Sequence, residues 1–337
     1  MTSILLIPIL ISFILTLYTL PKWILKCRQV GYLWEDMNKT EKVKNVAASG
    51  GVIVIISFVL GVLSYIAIKT FIMNQDDRNL QIFALLSVIL ILALVGFIDD
   101  VLGWAHRGLS VRFRLFLAFI ASVPLVVINA GTKIINVPFI GLFDLGIYYS
   151  LILIPIGIAG ATTTYNFLAG FNGLEAGQGI IILSFLSFVA YKTGSPGLTV
   201  VGLCMVASLI VFYFYNKYPA KVFPGDVLTY AIGSLIAGMA ILGNFEKIAV
   251  FVFIPYIIET FLKLRGRLEK PSFGKVNEDK SLEMPYDKIY GLTHLSLLLL
   301  KKFKKKVYEK DVVYLIFFFQ IIICLAALII FRNALFL

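Results

Sequence analysis

Long apolar runs alternate with short polar stretches along nearly the whole chain. A helix needs roughly 20 apolar residues to cross the hydrocarbon layer, and runs bounded by charge, proline or glycine predict ten such helices. They are Ser3–Leu20, Val46–Met73, Leu80–Ile98, Phe113–Ala130, Ile147–Thr164, Gly179–Tyr191, Leu198–Tyr215, Val227–Leu242, Ile248–Leu262 and Val312–Phe331. The sixth and ninth are short enough to need tilting or residues borrowed from adjoining loops. The first run lacks a basic leading segment and a small-residue cleavage site, so it is expected to be a retained helix and not a signal peptide. The predicted fold class is an all-α polytopic membrane protein, one integral domain over residues 1–337 with about ten transmembrane helices.

With ten spans, both termini lie on one side and the loops alternate. Of the 30 lysines and arginines, 24 fall in the loops that follow the odd-numbered spans, counting Arg114 at the very start of the fourth span. The positive-inside rule therefore places those loops in the cytoplasm. The longest of them, Lys263–Asp311 (residues 263–311), is a basic cytoplasmic loop within the domain and ends in the run Lys301-Lys302-Phe303-Lys304-Lys305-Lys306. That run reads as a solvated face against anionic headgroups.

Composition narrows the class. The 337 residues are 60% apolar and 15% charged, with a mean hydropathy of +0.94. Soluble domains are nearer half apolar and a quarter charged, which excludes a soluble enzyme. A formal charge of +11 in so apolar a chain points to anionic lipid or an anionic substrate, and not to nucleic acid. The three cysteines, Cys27, Cys204 and Cys324, have no metal-binding spacing and build no disulfide framework.

Polar residues at membrane depth or at helix ends carry the chemistry, because burying them is costly. Four clusters stand out, all on the predicted cytoplasmic side. Asp99 and Asp100 end an apolar run; such a pair repels unless a cation or proton is shared, and it suits Mg²⁺ coordination or proton abstraction. Arg112 and Arg114 open the following helix, where interfacial snorkelling competes with a phosphate clamp. Asn166 to Gly179 is a polar, glycine-rich break containing Asn172, Gly173 and Glu175, whose backbone amides suit anionic or carbonyl groups. It has neither Walker nor Rossmann spacing. Lys221 to Leu228 places Asp226 at a helix start with Phe223 three residues before it. Asp226 either caps that helix or joins Asp99, Asp100 and Asn166 in an all-oxygen Mg²⁺ site. These residues alone leave two classes open: a Mg²⁺-assisted enzyme acting on a phosphorylated substrate, and a transporter, since polar breaks also mark transport sites.

The segments GFIDDVLGW, NFLAGFNGLEAGQ and VFPGDVLTYAIG, in that order, resemble the polyprenyl-phosphate N-acetylhexosamine-1-phosphate transferases. NGLEAGQ and the later Ser281-Leu282-Glu283-Met284-Pro285-Tyr286 are similar to the eukaryotic and archaeal branch. The likeness runs from the first cytoplasmic loop to the last helix. It implies transfer of GlcNAc-1-phosphate from UDP-GlcNAc to a polyprenyl (dolichyl) phosphate, with release of UMP. Carried over position by position, it makes Asp99, Asp100 and Arg114 catalytic, Asp226 and Asn166 the ligands of Mg²⁺ (or Mn²⁺), and Asn172 and Phe223 the uracil contacts. Gly173 and Glu175 fall in the nucleotide loop, and Arg112, Arg265 and Arg267 in substrate-binding positions. The family usually has lysine where Arg114 stands. The histidine cluster of the bacterial muramyl-pentapeptide enzymes is absent, which argues against that donor, although another acetamido-sugar donor such as UDP-GalNAc stays open. The partners implied are UDP-GlcNAc, the lipid phosphate and membrane lipid, with a homodimer left open. The location implied is an integral cell membrane, archaeal plasma membrane ahead of endoplasmic reticulum, with the site facing the cytoplasm.

Overall fold

The computed structural model describes residues 3–39, 44–74, 79–137 and 141–336. Two of the basic residues counted above, Lys42 and Arg78, lie outside the described residues. Most of the described residues are helical, as in an all-α polytopic membrane protein. Among the described residues eight helices are long and apolar enough to cross a membrane. They are α1 (Leu6–Val30), α2 (Gly51–Phe71), α3 (Asn79–Ala105), α6 (Ile154–Phe167, entered through a π-helical turn at Tyr149–Leu153), α7 (Leu174–Lys192), α8 (Pro196–Asn216), α9 (Asp226–Gly243) and α13 (Glu309–Ile330).

The other two expected spans are each broken in two. The fourth becomes α4 (Val111–Ala121) and α5 (Val123–Val127), and the ninth becomes α10 (Glu246–Val252) and α11 (Ile254–Arg265). The cause is local: Pro124 and Pro255 sit just after the breaks, and proline has no N–H to continue a helical ladder. Other boundaries move as well. α1 continues ten residues past Leu20, through Pro21, because its last turns gain packing: Ile24 and Cys27 are buried and Trp23 Nε1 donates to Ala48 O at 2.9 Å. α3 continues through the aspartate pair to Ala105, and α7 begins at Leu174, so the glycine-rich break shrinks to residues 168–173.

Three small antiparallel hairpins, unexpected from the sequence, close loops. They join β1 (Leu33–Glu35) to β2 (Lys44–Ala47), β3 (Ile134–Val137) to β4 (Gly141–Asp144), and β5 (Lys275–Val276) to β6 (Leu282–Glu283). In the long last loop lies the amphipathic α12 (Leu292–Lys301), and α14 (Arg332–Phe336) follows α13.

α9 is the central helix. Its apolar window is 94% buried, against 28% for α1 and α13 at the periphery, and it packs chiefly on α3 and α6. Small residues permit the approach: a Cβ at Gly233 would lie 2.7 Å from the α6 backbone at Ala161 and Thr162. Close packing through glycine is the usual way membrane helices associate when lipid removes the hydrophobic drive between them. Polar links add to it, as where Gln320 Nε2 on α13 donates to Val252 O on α10 at 3.0 Å. The three cysteines are free and buried, as filler in the packing. Hydrogen bonds bring the C-terminal ends of α3 and α6 together with the N-terminal ends of α2, α4 and α9, and tie the loop before α7 to the start of α13. That shared end carries all four predicted clusters.

Candidate active site

Asp99 and Asp100 lie inside α3, where consecutive side chains point about 100° apart. The two therefore take different partners instead of sharing one. Asp99, 8% exposed, faces α4. Its Oδ2 receives Arg114 Nη1 at 2.8 Å, and its Oδ1 accepts the Leu109 N–H. This draws the α3–α4 loop back over the carboxylate. Ser110 caps α4, its Oγ accepting from Phe113 N at 3.3 Å, and so fixes where Arg114 emerges one turn later.

Asp100 faces the start of α9. Its Oδ1 accepts Asp226 N–H at 2.8 Å, and its Oδ2 accepts Ser49 Oγ at 2.9 Å and Val227 N–H at 3.4 Å. It caps a helix to which it does not belong, satisfying donors that a helix N-terminus leaves orphaned. Tyr32 OH lies 2.7 Å from Ser49 Oγ. Since Ser49 donates its proton to Asp100, Tyr32 donates to Ser49. Burial pushes the Tyr32 hydroxyl up to about 12, which keeps the proton there. Gly225 has φ +72 and the Asp100 carboxylate stands where its Cβ would be, so only glycine fits.

Asp226, at the first position of α9, completes the cluster. Its Oδ2 receives Arg114 Nη1 at 3.1 Å and Asn166 Nδ2 at 3.2 Å, while Asn166 Oδ1 accepts Thr229 Oγ1 at 3.0 Å. One guanidinium thus bridges two carboxylates from different helices, with Arg114 and Asp226 about a quarter open to solvent and Asp99 largely buried. The oxygens of Asp226 and Asn166 are hard donors of the kind Mg²⁺ takes. Among the described residues no three acidic, histidine or cysteine side chains form a closed cage. A Mg²⁺ ion there would take one or two protein oxygens plus water and substrate phosphates.

The loop 168–173 forms a second, more closed cluster. Asn172 is 5% exposed; its N–H donates to Glu309 Oε1 at 2.6 Å and its Nδ2 to Asp36 Oδ2 at 2.9 Å. Asn38 Nδ2 donates to Gly170 O at 3.0 Å and to Glu309 Oε1 at 3.3 Å. Glu175, buried beneath the loop, accepts Gly170 N–H at 2.8 Å. Gly173 is the residue before α7, at φ +85. A cavity of about 200 Å³ opens beside this network, between Asn38, Tyr308 and Glu309. The last loop reaches over from the other side, with the Phe273 ring 2.7 Å from the Cβ position of Gly170. Phe223 is half-buried, its backbone paired with Ala47 O and Gly50 N at 2.8 Å each.

The profile of glycosyl transferase family 4 matches residues 82–244, which span Asp99, Arg114, the glycine-rich loop and Asp226. A Saccharolobus solfataricus protein is 35% identical over 294 residues, covering 86% of this chain and 87% of its own. A Sulfolobus acidocaldarius protein is 31% identical, over 96% and 95% of the two chains. The chain belongs to glycosyl transferase family 4. Both archaeal relatives carry, provisionally, the name UDP-N-acetylglucosamine–dolichyl-phosphate N-acetylglucosaminephosphotransferase. A Dictyostelium discoideum protein of that name is 32% identical over 248 residues, 64% of this chain and 59% of its own.

Not all of the positions carried over from the resemblance join these two networks. Arg112, Arg265 and Arg267 are exposed, and no described residue pairs with any of them. Other residues enter the site that the sequence reading passed over: Asp36, Asn38, Ser49, Thr229 and Glu309. For Asp36 and Asn38 a signal existed in the two polar residues flanking Met37, close behind the first span. Glu309 was hidden by Lys310 and Asp311, which made the start of α13 look like loop.

Proposed function

We propose that this family member transfers GlcNAc-1-phosphate from UDP-GlcNAc to a polyprenyl (dolichyl) phosphate at the cytoplasmic face of an archaeal plasma membrane. A phosphate oxygen of the lipid attacks the β-phosphorus of the donor and forms the new P–O bond. The bond from that phosphorus to the oxygen bridging it to the α-phosphate breaks, and UMP leaves with the electron pair. The observation that carries this reading is Arg114 held by Asp99 and Asp226 at the N-terminus of α9. A guanidinium and a helix N-terminus together favour phosphate oxygens.

In this reading Arg114 offsets charge on the transferring phosphoryl group, as arginines do in other phosphoryl transfers. Asp99 orients Arg114 and the incoming lipid phosphate. Asp100 acts one step back, holding the Asp226 backbone. Asn172 and Phe223 take the uracil, one by hydrogen bonding and one by stacking. Asp226 and Asn166 would hold Mg²⁺, which when bound neutralises pyrophosphate charge.

The test is UMP release by the purified protein given UDP-GlcNAc, dolichyl phosphate and Mg²⁺, with UDP-GalNAc and UDP-MurNAc-pentapeptide in parallel. UMP is expected only with UDP-GlcNAc and lipid together, and it should cease with EDTA. Release with another donor moves the substrate. No release from folded protein refutes the enzyme.

A further inference from the structure

We infer that Asp36, on the loop after α1, is a positioning residue that dictates which end of the Asn172 amide meets the donor's base. This rests on the reading of Asn172 as the base contact.

Asp36 is 3% exposed and held at both oxygens. Oδ1 accepts Asn38 N–H at 3.2 Å, and Oδ2 takes Lys39 Nζ at 3.0 Å together with Asn172 Nδ2 at 2.9 Å. An ionised carboxylate only accepts hydrogen bonds, whereas an amide has one accepting and one donating end. Facing Asp36, Asn172 must turn its NH₂ inward, and the opposite rotamer would set two acceptors against each other. The backbone of Asn172 has no freedom to compensate, because its N–H is tied to Glu309 across the chain. The amide oxygen is thereby fixed outward. No described residue donates to it, and it is not among the polar atoms shut off from solvent.

An outward acceptor selects for a base. Uracil offers the N3–H between its two carbonyls, whereas cytosine offers a lone pair at N3. Two acceptors facing each other in a desolvated site are strongly disfavoured. Discrimination for uracil thus traces back through Asn172 to a carboxylate that need not touch the nucleotide.

The experiment is calorimetric binding of UMP and CMP to the detergent-solubilised full chain, with wild type, Asp36→Asn and Asp36→Ser. Both replacements can donate or accept and so no longer forbid the flipped amide. The wild type should prefer UMP, and that preference should fall about tenfold or more in both variants. A purely structural role would weaken both nucleotides alike and leave the ratio unchanged. A third arm uses Asn172→Asp, which sets two carboxylates together and should weaken UMP; adding Asp36→Asn should restore much of the loss by re-forming an amide–carboxylate pair. An unchanged UMP-to-CMP ratio in both single variants overturns the assignment of Asp36. Absence of any UMP preference in the wild type overturns Asn172 as base contact along with it. Loss of UMP release with the preference intact counts only against the transfer reaction.

Discussion

Two polar clusters share one end of this helix bundle, and they are built on opposite plans. Around Arg114 the groups are charged, partly open, and joined through a single guanidinium nitrogen to carboxylates on two helices. Around Asn172 they are buried, and each amide donor that has been placed has a stated acceptor. The first plan suits a site where charge must be rearranged during a reaction, since an accessible guanidinium can exchange a carboxylate for a phosphate. The second suits recognition, where one fixed pattern of donors and acceptors has to be presented every time. Chemistry tolerates solvent here; selectivity does not.

The sharpest way to break that comparison is to remove the shared charge. Arg114→Gln leaves two carboxylates on neighbouring helices without their cation. By analogy with arginines that stabilise phosphoryl transfer, kcat should fall about a thousandfold or more. UMP binding should change little, because the base contacts are elsewhere. Arg114→Lys should recover part of the rate, since the charge returns without the planar fork. Steady-state kinetics beside UMP calorimetry checks this. A large loss of UMP affinity in Arg114→Gln would show that the two clusters act as one.

A smaller effect is expected one helical position away. Asp100→Asn keeps one acceptor for the Asp226 N–H but turns an amide NH₂ toward the Val227 N–H and Ser49, a mismatch costing about 1–3 kcal/mol. The thermal midpoint should fall and kcat drop roughly tenfold through displacement of Asp226, a loss of about 1.4 kcal/mol in barrier terms. If kcat instead collapses as far as in Arg114→Gln with the midpoint unchanged, Asp100 touches the substrate and the division of labour between the paired aspartates is wrong.

That division was not legible in the sequence, although the pair itself was. Asp99-Asp100 reads as one doublet at the end of an apolar run. Only when α3 is known to continue to Ala105 does the helical 100° step turn the two apart. Much else was legible for a simple reason: in lipid, backbone groups must be satisfied within the segment, so long apolar runs declare themselves as helices. Asp226 and Asn166 stood out because polar residues at helix ends in an apolar chain are rare enough to notice. The broken fourth and ninth spans carried their signal in Pro124 and Pro255, which apolar averaging hides. Asp36 and Glu309 sit in stretches that look merely soluble, and their meaning comes from a contact across 136 or 137 residues of chain to Asn172. Periodicity does not report contacts of that range.

The gentlest test of the comparison uses pH, acting on the last loop through His294. His294 is buried on α12. Its Nδ1 accepts Tyr290 N–H at 3.3 Å, and its Nε2 lies 3.4 Å from Phe273 O, so the ring that fits is the neutral one with its proton on Nε2. Burial lowers its pKa from the ordinary value. The folded loop therefore refuses a proton that the detached loop would take. The docked state keeps its full stability above the ordinary histidine pKa of about 6.5, and loses it as pH falls from there toward the lower folded value. Phe273 stands over Gly170, so loosening this loop should uncover the recognition cluster and leave the Arg114 cluster alone. Limited proteolysis of residues 263–311 should therefore speed up between pH 7.5 and 5.5, by at most about tenfold per pH unit below 6.5, with UMP affinity falling alongside. His294→Gln, which cannot take up a proton, should flatten the proteolysis curve and remove the part of the UMP-affinity change that follows it. If UMP affinity stays level while the loop is cut faster, the loop does not cover the base site, and recognition rests on Asp36, Asn172 and Glu309 without it.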